Sequence, residues 1–310
     1  MRRAHIVIDA FTGVASEVIK NVVLAGIGKL TIVDARSIQP EDLSASFFFR
    51  SEDVGTPRIG DAPLQRIKQL NPHVHVDGVS HEGVLSEEAF ERLKPDVVLV
   101  TQGNRDELIR WNDACRKHSA MFFAAATHGL SGFIFCDLLA LEYVEERPVA
   151  GAKEKVPVRY RQDFVPLRSS LESRWSFHPS PGLLATWALW STMDQECANE
   201  LKDEAAFQGE LEKHAQLIMD EHGVKTASVF RRMDAQAYFA SFARATFPIV
   251  KGQCDAAFAP TSAILGGIVA QSVLNALGRR EEPIVNWCIL DASRGTADIH
   301  SIGPPSAVAL

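Results

Sequence analysis

The first 145 residues alternate short apolar runs with amphipathic stretches, which is the pattern of a parallel α/β sheet. Several of the apolar runs are nearly continuous, as expected for strands that are buried on both faces. The predicted strands span residues 5–9, 29–33, 73–77, 96–101 and 121–125. The predicted helices span residues 13–24, 63–70, 86–93 and 105–118. An antiparallel segment is predicted to begin at residues 133–136 and to run to Tyr143.

The pattern changes after residue 145 and returns to alternating elements after residue 252. The predicted elements here are an exposed, charged connection at 153–161, helices at 183–223, 234–246 and 260–277, and a strand at 287–290 that ends in Asp291. We therefore expect an α/β fold, a doubly wound, mostly parallel Rossmann-like sheet interrupted by a helical insertion. The predicted parts are 1–145 (N-terminal half of the α/β domain), 146–252 (helical insertion) and 253–310 (C-terminal completion).

The segment from Phe11 to Asp34 has the shape of the βαβ opening of a nucleotide-binding domain. In such sites glycines allow a tight turn and let backbone N–H groups reach a phosphate, and an acidic residue about 20 positions later binds the ribose. Ala10, Gly13 and Ala15 stand where three glycines are expected, while Asp34 keeps the acidic position. The sequence predicts a retained fold with a vestigial nucleotide loop, which indicates a non-catalytic partner of an active enzyme.

The composition and charge of the chain argue against several classes of partner and site. The net charge is −7 and no dense Lys/Arg block occurs, which argues against nucleic acid or an anionic membrane as the main partner. The longest apolar stretch, residues 263–270, is too short to span a bilayer. The five cysteines form no C-x-x-C pair, so neither a disulfide framework nor a zinc site is predicted. His73 and His75 share one strand face but have no acidic or cysteine companion at the spacing of a metal site.

Five segments, in one order along the chain, carry a resemblance to a known family. They read KNVVLAGIGKLTIVDARSIQPEDLSASFFFRSEDVGTPR (20–58), QLNPHVHV (69–76), HGLSGFIF (128–135), FAPTSAILGGIVAQSVLNAL (258–277) and ILDASRGTADIHSIGP (289–304). These segments resemble the ubiquitin-like-protein-activating enzymes, and among them most closely the smaller, non-catalytic subunits of the SUMO-activating heterodimers. Residues 148–252 match only in being helical.

The resemblance implies a ThiF-type adenylation fold, in which active members use ATP and Mg²⁺ to adenylate the C-terminus of a small protein modifier. It also implies which residue types hold the phosphates and the metal. Ala45 and Ser46 stand here in place of an Arg-Gln pair. Thr56 replaces a lysine, and Gly103 stands where a metal-holding aspartate is expected. We therefore expect no catalytic residue, no metal site and no cofactor in this chain, and we expect ATP and Mg²⁺ in its partner.

The resemblance further implies a nucleophilic cysteine in the helical region of the catalytic subunit. Cys197 lies in that region here, and its acidic neighbours in DQECANE would raise a thiol pKa, so an inert thiol is predicted. Family members begin with a helix whose arginine reaches the partner's ATP. The first predicted strand here follows Met1 to Arg3 closely, so a shortened sequence and a substitute role for Arg2 or Arg3 both stay open.

Apolar surface that awaits a partner is predicted at two places. A run of three phenylalanines would be an aggregation hazard if it were exposed without a partner. A pair of glycines within a helix costs about 2 kcal/mol relative to two alanines, which indicates that another backbone packs there. The predicted interface residues are Phe47, Phe48, Phe49, Arg50, Arg58, Gly266 and Gly267. The resemblance implies that the partner is the catalytic SUMO-activating subunit, with SUMO engaged indirectly.

These inferences together predict a regulatory or scaffold subunit that supports adenylation and thioester loading of SUMO by its partner and is inactive alone. One alternative is the equivalent subunit for another modifier such as NEDD8, which usually has a much longer helical insertion. Another is an NAD-binding Rossmann oxidoreductase, which Ala10, Ala15 and the lack of an acid–base pair at the strand ends disfavour. The resemblance implies a nuclear location, and a cytoplasmic one stays open.

Overall fold

An eight-stranded sheet is the centre of the computed structural model, which describes residues 1–148, 155–175, 178–193, 202–231, 233–250 and 258–310. The strands are β1 (His5–Asp9), β2 (Lys29–Val33), β3 (His75–Val79), β4 (Val97–Val100), β5 (Met121–His128), β6 (Ser131–Asp137), β7 (Ala140–Pro148), β8 (Lys155–Asp163), β9 (Trp287–Asp291), β10 (Thr296–His300) and β11 (Val308–Ala309). The helices are α1 (Gly13–Leu24), α2 (Asp61–Leu70), α3 (Glu87–Leu93), α4 (Arg105–Lys117), α5 (Leu167–Glu172), α6 (Pro181–Met193), α7 (Glu204–His222), α8 (Thr226–Phe230), α9 (Ala235–Val250) and α10 (Ala259–Gly278).

The strand order places a topological switch point beside β1. The order is β10-β9-β6-β5-β4-β1-β2-β3, and β1 to β5 are parallel to one another. From β1 the chain moves through β2 to β3, and it then returns to the other side of β1 to form β4 and β5. The remaining strands β6, β9 and β10 extend the sheet through antiparallel pairs. The doubly wound, mostly parallel sheet predicted from the sequence is therefore confirmed.

Helices cover both faces of this sheet and enclose two hydrophobic cores. On one face α1 packs against α10 over strand side chains that include Ile8, Leu30 and Leu99. On the other face α4 packs on β4 and β5, and α6 packs on β6 and β9. The ring of Trp190 on α6 meets the ring of Phe133 on β6 edge-on, with their centroids 5.1 Å apart. The helical segment after β8 thus packs directly onto the sheet.

One predicted connection is instead a strand. The prediction of an exposed connection over residues 153–161 is wrong for its described part, because β8 pairs antiparallel with β7. Tyr143 and Tyr160 stack across this pair with their centroids 5.5 Å apart. The charges and Pro157 hide the strand pattern in the sequence, because the side chains of β8 are largely exposed. Pro157 is tolerated because β11 pairs only with the far end of β8, which leaves an edge there.

Most other elements match their predictions to within a few residues. The shifts include the end of α9, which lies at Val250 rather than Thr246, and the starts of α2 and β3, which lie at Asp61 and His75 rather than Pro63 and His73. The predicted helix over 183–223 is represented by α6 and α7, while residues 194–201 lie outside the described part of the chain. The predicted cap residues Ser86 and Gly223 do cap α3 and α7.

The long apolar helix α10 is a core helix. Among the described helices it is the one that is long and apolar enough to cross a membrane by length and composition alone, with 44% of its most apolar window buried. It packs against α1, β5 and β6, as core helices of globular proteins do. It lies close against α1 at Gly266, where an added Cβ atom would lie 2.5 Å from Glu17 Cβ and 3.0 Å from the carbonyl oxygen of Val14.

The two adjacent glycines of α10 give a matched pair of stability predictions. Gly266→Ala is expected to lower the free energy of unfolding by about 1–3 kcal/mol, because the new methyl group overpacks the contact with α1. Gly267→Ala is expected to raise it by about 1 kcal/mol, because alanine is the better helix former and no atom lies within 4 Å of the new Cβ. Urea unfolding of both variants measures the two changes. Equal effects of the two substitutions would contradict the close packing of Gly266.

Candidate functional site

A cavity of about 450 Å³ lies at the switch point, at the carboxyl ends of β1, β2 and β4. Open α/β sheets bind ligands at this position because the connections on either side diverge and leave a crevice. The N-terminal ends of α1 and α4 contribute to its wall, and α6 and α9 contribute Trp190 and Ile249. The cavity therefore occupies the place of the nucleotide in active Rossmann-type domains.

The loop between β1 and α1 follows the backbone path of a glycine-rich turn, although alanines stand at two of the glycine positions. Ala10 has φ +66°, a left-handed conformation that costs an alanine about 1 kcal/mol. Side-chain bonds hold the loop in place, since Thr101 Oγ1 donates to the carbonyl of Ala10 at 2.6 Å and Thr12 Oγ1 donates to Thr101 Oγ1 at 2.9 Å. Thr12 also caps α1 by accepting from the N–H of Ala15. The chain itself thus occupies part of the hydrogen-bonding capacity that a phosphate requires.

Asp34, at the predicted ribose position, is saturated by groups of its own chain. It accepts the backbone N–H of Phe11 at 2.7 Å and the Nε and Nη2 of Arg36 at 2.9 and 2.6 Å. Arg36 also donates to the side chain of Gln102 at the end of β4. Burial alone would raise the pKa of Asp34, but the bonds to Arg36 and Phe11 outweigh it and lower the pKa. The carboxylate is therefore charged and occupied, and Arg36 bridges across the cleft.

Asp9 is a second carboxyl group of the cavity, and it is not among the site residues predicted from the sequence. Asp9 ends β1, is 7% exposed and lines the cavity. No other described residue forms a hydrogen bond or an ion pair with its side chain. Burial raises the pKa of Asp9 to about 8, with smaller contributions from the charges of Glu107 and Asp34. The one available signal was a carboxylate that closes an otherwise apolar strand, HIVID.

Asp9 makes the stability of the chain depend on pH. Because its pKa is about 8 in the folded chain and 3.8 in the reference state, the folded chain binds one more proton between those values. Stability therefore falls as pH rises through this window and is level above it. Asp9→Asn is expected to raise the free energy of unfolding by about 2–4 kcal/mol at pH 8 and to change it little near pH 4. Chemical denaturation at both pH values checks this, and an equal gain at both would refute the assignment.

The positions of the lost phosphate and metal groups hold small or neutral side chains. Ala45 and Ser46 line the cavity, and Ser16 Oγ donates to Ser46 Oγ at 2.8 Å. Thr56 donates to a backbone carbonyl of its own loop at 2.7 Å. Gly103 has φ +148°, and a Cβ atom there would lie 3.2 Å from Glu107 Oε2. An aspartate at this position would be both strained and repelled by the carboxylate of Glu107. Cys197, for which an inert thiol is predicted, lies outside the described residues.

The predicted interface residues fall into buried and exposed groups. Phe48 and Phe49 are buried, and Phe49 packs against the ring of Phe11 at 4.7 Å. The expectation of an exposed triple is therefore wrong for these two, whereas Phe47 is 49% exposed. Lys20 Nζ lies 5.1 Å from the centroid of the Phe47 ring. An interface role stays a prediction for Phe47.

The remaining predicted interface residues divide in the same way. Arg58 is buried and donates to both carboxylate oxygens of Asp42 at 2.7 Å. This pair ties residue 58 to the loop after β2, so its role within the chain is structural. Arg50 is exposed and lies 3.8 Å from Glu52. Gly266 is buried against α1, and Gly267 is partly exposed beside it. An interface role stays a prediction for Arg50 and Gly267.

Comparison with known proteins places the chain in a family. Its sequence matches the ThiF family over residues 1–305. It is 29% identical to DNA damage tolerance protein RHC31 of Saccharomyces cerevisiae, over 94% of this chain and 88% of that protein. It is 26% identical to SUMO-activating enzyme subunit 1 of Homo sapiens and 27% identical to that of Xenopus laevis, each over 98% of this chain and 90% of the relative. The chain is therefore a member of the ThiF family.

Proposed function

We propose that this chain is the non-catalytic subunit of a heterodimeric SUMO-activating enzyme and supports ATP-dependent adenylation by a catalytic partner. The relatives named SUMO-activating enzyme subunit 1 match it over nearly their whole length, which supports this choice over the equivalent subunit for NEDD8. The observation that carries the proposal is the Asp34–Arg36–Gln102 bridge across the switch-point cleft. The position that binds a ribose in active domains is thereby occupied by the chain itself.

The charges of the cleft oppose nucleotide chemistry. ATP brings several negative charges, and enzymes that transfer phosphoryl or adenylyl groups stabilise them with Lys, Arg or Mg²⁺. Among the described residues that line the cavity, Arg36 is the sole Lys or Arg, and Asp34 neutralises it. Glu82 and Glu107 add negative charge to the same space. The loss of even one such stabilising group costs about a hundredfold in rate, so this chain adenylates nothing by itself.

What the chain contributes instead is a surface for its partner. Phe47 stands beside Lys20 of α1, and the exposed face of α10 presents Ala263, Ile264 and Gly267 next to the α1–α10 contact. Small residues on a helix allow a second backbone to approach closely, and an exposed aromatic ring is a common anchor of an interface. We call the surface formed by Lys20, Phe47, Ala263, Ile264 and Gly267 the α1 surface, and we propose that the catalytic subunit binds there.

Nucleotide stoichiometry tests this function. Isothermal titration of the heterodimer with ATP-Mg²⁺ is expected to give one bound ATP per pair, because only the partner retains a working site. Titration of this chain alone is expected to show no binding at dissociation constants below about 1 mM. Two bound ATP molecules per heterodimer would contradict the proposal. Binding of NADH to the chain would favour the oxidoreductase alternative, and loading of NEDD8 by the pair would favour the alternative modifier.

A further inference from the structure

We propose that the switch-point cavity is a binding site for a small organic cation, an ammonium or amidinium group on a flat apolar body. The cavity has kept the position of a nucleotide site but has acquired the opposite charge preference. This inference rests on the cavity alone and holds whether or not the chain pairs with a catalytic subunit. A nucleotide, a neutral ligand and an empty cavity are the outcomes that it excludes.

The cationic group is assigned to Asp9. Its carboxylate is 7% exposed, lines the cavity and has no partner among the described residues. A buried carboxyl group without a partner is costly, and a hydrogen bond from a cation removes that cost. Glu107 lies close enough to act on Asp9 electrostatically, and Glu82 lines the same space. Since Arg36 is engaged by Asp34 and Gln102, the described residues of the cavity offer a bound cation several acceptors and no free Lys or Arg side chain.

The helix ends at the cavity do not restore a preference for anions. A helix N-terminus attracts negative charge through its free N–H groups and its dipole. At α1, Thr12 already accepts from the N–H of Ala15. At α4, Asn104 accepts from the N–H of Glu107, and the Glu107 carboxylate sits in the first turn, where it offsets the dipole. A side chain of the chain itself thus caps each of these helix ends, and at α4 a carboxylate also opposes a bound anion.

The apolar body of the ligand is assigned to the apolar part of the cavity lining. This part includes Phe49, Phe133, Leu189, Trp190 and Ile249, which come from the loop after β2, from β6 and from the helices of the insertion. Trp190 and Phe133 fix each other edge-on, so an aromatic surface is already in place. The volume of about 450 Å³ falls in the range of about 300–1,000 Å³ that is typical of pockets for small molecules. A lining that combines a buried carboxyl group with aromatic rings suits an aryl-alkyl amine.

Two probes with the same indole body, one ending in a charged ammonium group and one in a neutral hydroxyl group, test the site. Isothermal titration of the full chain with tryptamine at about pH 9, above the pKa of about 8 that burial gives Asp9, is expected to give a dissociation constant below about 1 mM. Tryptophol, which carries a hydroxyl group in place of the amine, is expected to bind at least about tenfold more weakly. Asp9→Asn is expected to reduce tryptamine affinity by about tenfold or more, and Glu107→Gln is expected to reduce it by a smaller factor. Binding of tryptophol to Asp9→Asn should be unchanged, because that variant keeps the apolar part of the cavity lining.

Asp106→Asn is the matched control, since Asp106 precedes Glu107 on α4 but is exposed and does not line the cavity. It is expected to bind tryptamine like the unaltered chain. Equal affinity for tryptamine and tryptophol, no binding of tryptamine, or undiminished binding by Asp9→Asn would each overturn the proposal. Displacement of tryptamine by ATP-Mg²⁺ at micromolar concentration would show instead that the cavity has remained a nucleotide site.

Discussion

Phe47→Glu is expected to weaken the complex between this chain and the catalytic subunit by about a hundredfold, which corresponds to about 2.8 kcal/mol. The ring of Phe47 is 49% exposed and stands between Lys20 and Phe48, with ring centroids of the two phenylalanines 4.5 Å apart. A glutamate at the same position removes the apolar anchor and leaves a carboxylate to be desolvated when the partner binds. Surface plasmon resonance with the immobilised catalytic subunit measures the change in affinity.

The control for this prediction is a second exposed apolar residue away from the α1 surface. Leu217 on α7 is 55% exposed, and Leu217→Glu is expected to leave the affinity unchanged. Phe47→Glu itself should barely change the free energy of unfolding, because the ring is largely outside the core. By contrast, Phe48→Glu would place a charge in the core, since Phe48 is buried, and is expected to unfold the chain. If Phe47→Glu bound the catalytic subunit with full affinity, the catalytic subunit would not bind at the α1 surface.

Asp137→Ala is expected to destabilise the chain by about 3 kcal/mol, the largest loss we predict for a residue outside the apolar core. Asp137 on β6 is fully buried and accepts from Arg116 Nε at 2.6 Å and from Asn112 Nδ2 at 2.8 Å. Arg116 also donates to the carbonyl of Phe164, and Asn112 accepts the N–H of Leu167. Removal of the carboxylate therefore leaves donors of α4 unpaired and loosens α4 from β6 and from the start of α5.

An exposed aspartate gives the comparison. Asp163 forms an ion pair with Arg161 at 3.1 Å on the surface, and Asp163→Ala is expected to cost less than about 0.5 kcal/mol. Guanidinium chloride unfolding of the two variants distinguishes the buried network from the surface pair. Similar losses for Asp137→Ala and Asp163→Ala would show that the buried network contributes no more than a surface ion pair.

The sequence predicts the elements of this fold well where the apolar pattern is unambiguous. β1 and β2 are mainly aliphatic and almost fully buried, and α1 follows a threonine cap and ends before the glycines near β2, so their bounds match the prediction. The hairpin strand β8 is missed because its side chains alternate between charges and apolar groups on two exposed faces. The Gly266 contact was predicted as close backbone packing, but only the structure identifies α1 as the neighbour and shows Gly267 to have open space around it.

The candidate site is less predictable because it depends on contacts between distant segments. The spacing alone places Asp34 at the acidic position of a vestigial nucleotide site. Its occupation by Arg36, and the link from Arg36 to Gln102, join the ends of β2 and β4, which no local pattern connects. The burial of Phe48 and Phe49 likewise depends on the ring of Phe11 across the loop. Local patterns predict the loss of the glycine loop. The contacts by which Arg36 fills the cleft can be seen only in the folded structure, because they join segments that are distant in the sequence.

SUMO-dependent exchange of pyrophosphate into ATP, measured for the catalytic subunit with and without this chain, tests the proposed non-catalytic role directly. We expect this chain alone to give no exchange and the catalytic subunit alone to give little. Together they should exchange at a rate at least about a hundredfold higher than the catalytic subunit alone, as expected when pairing completes a transition-state-stabilising site. An Asp34→Ala change in this chain should leave that rate unaltered, because its cleft takes no part in the reaction. Equal exchange by the catalytic subunit with and without this chain, or exchange by this chain alone, would contradict the account.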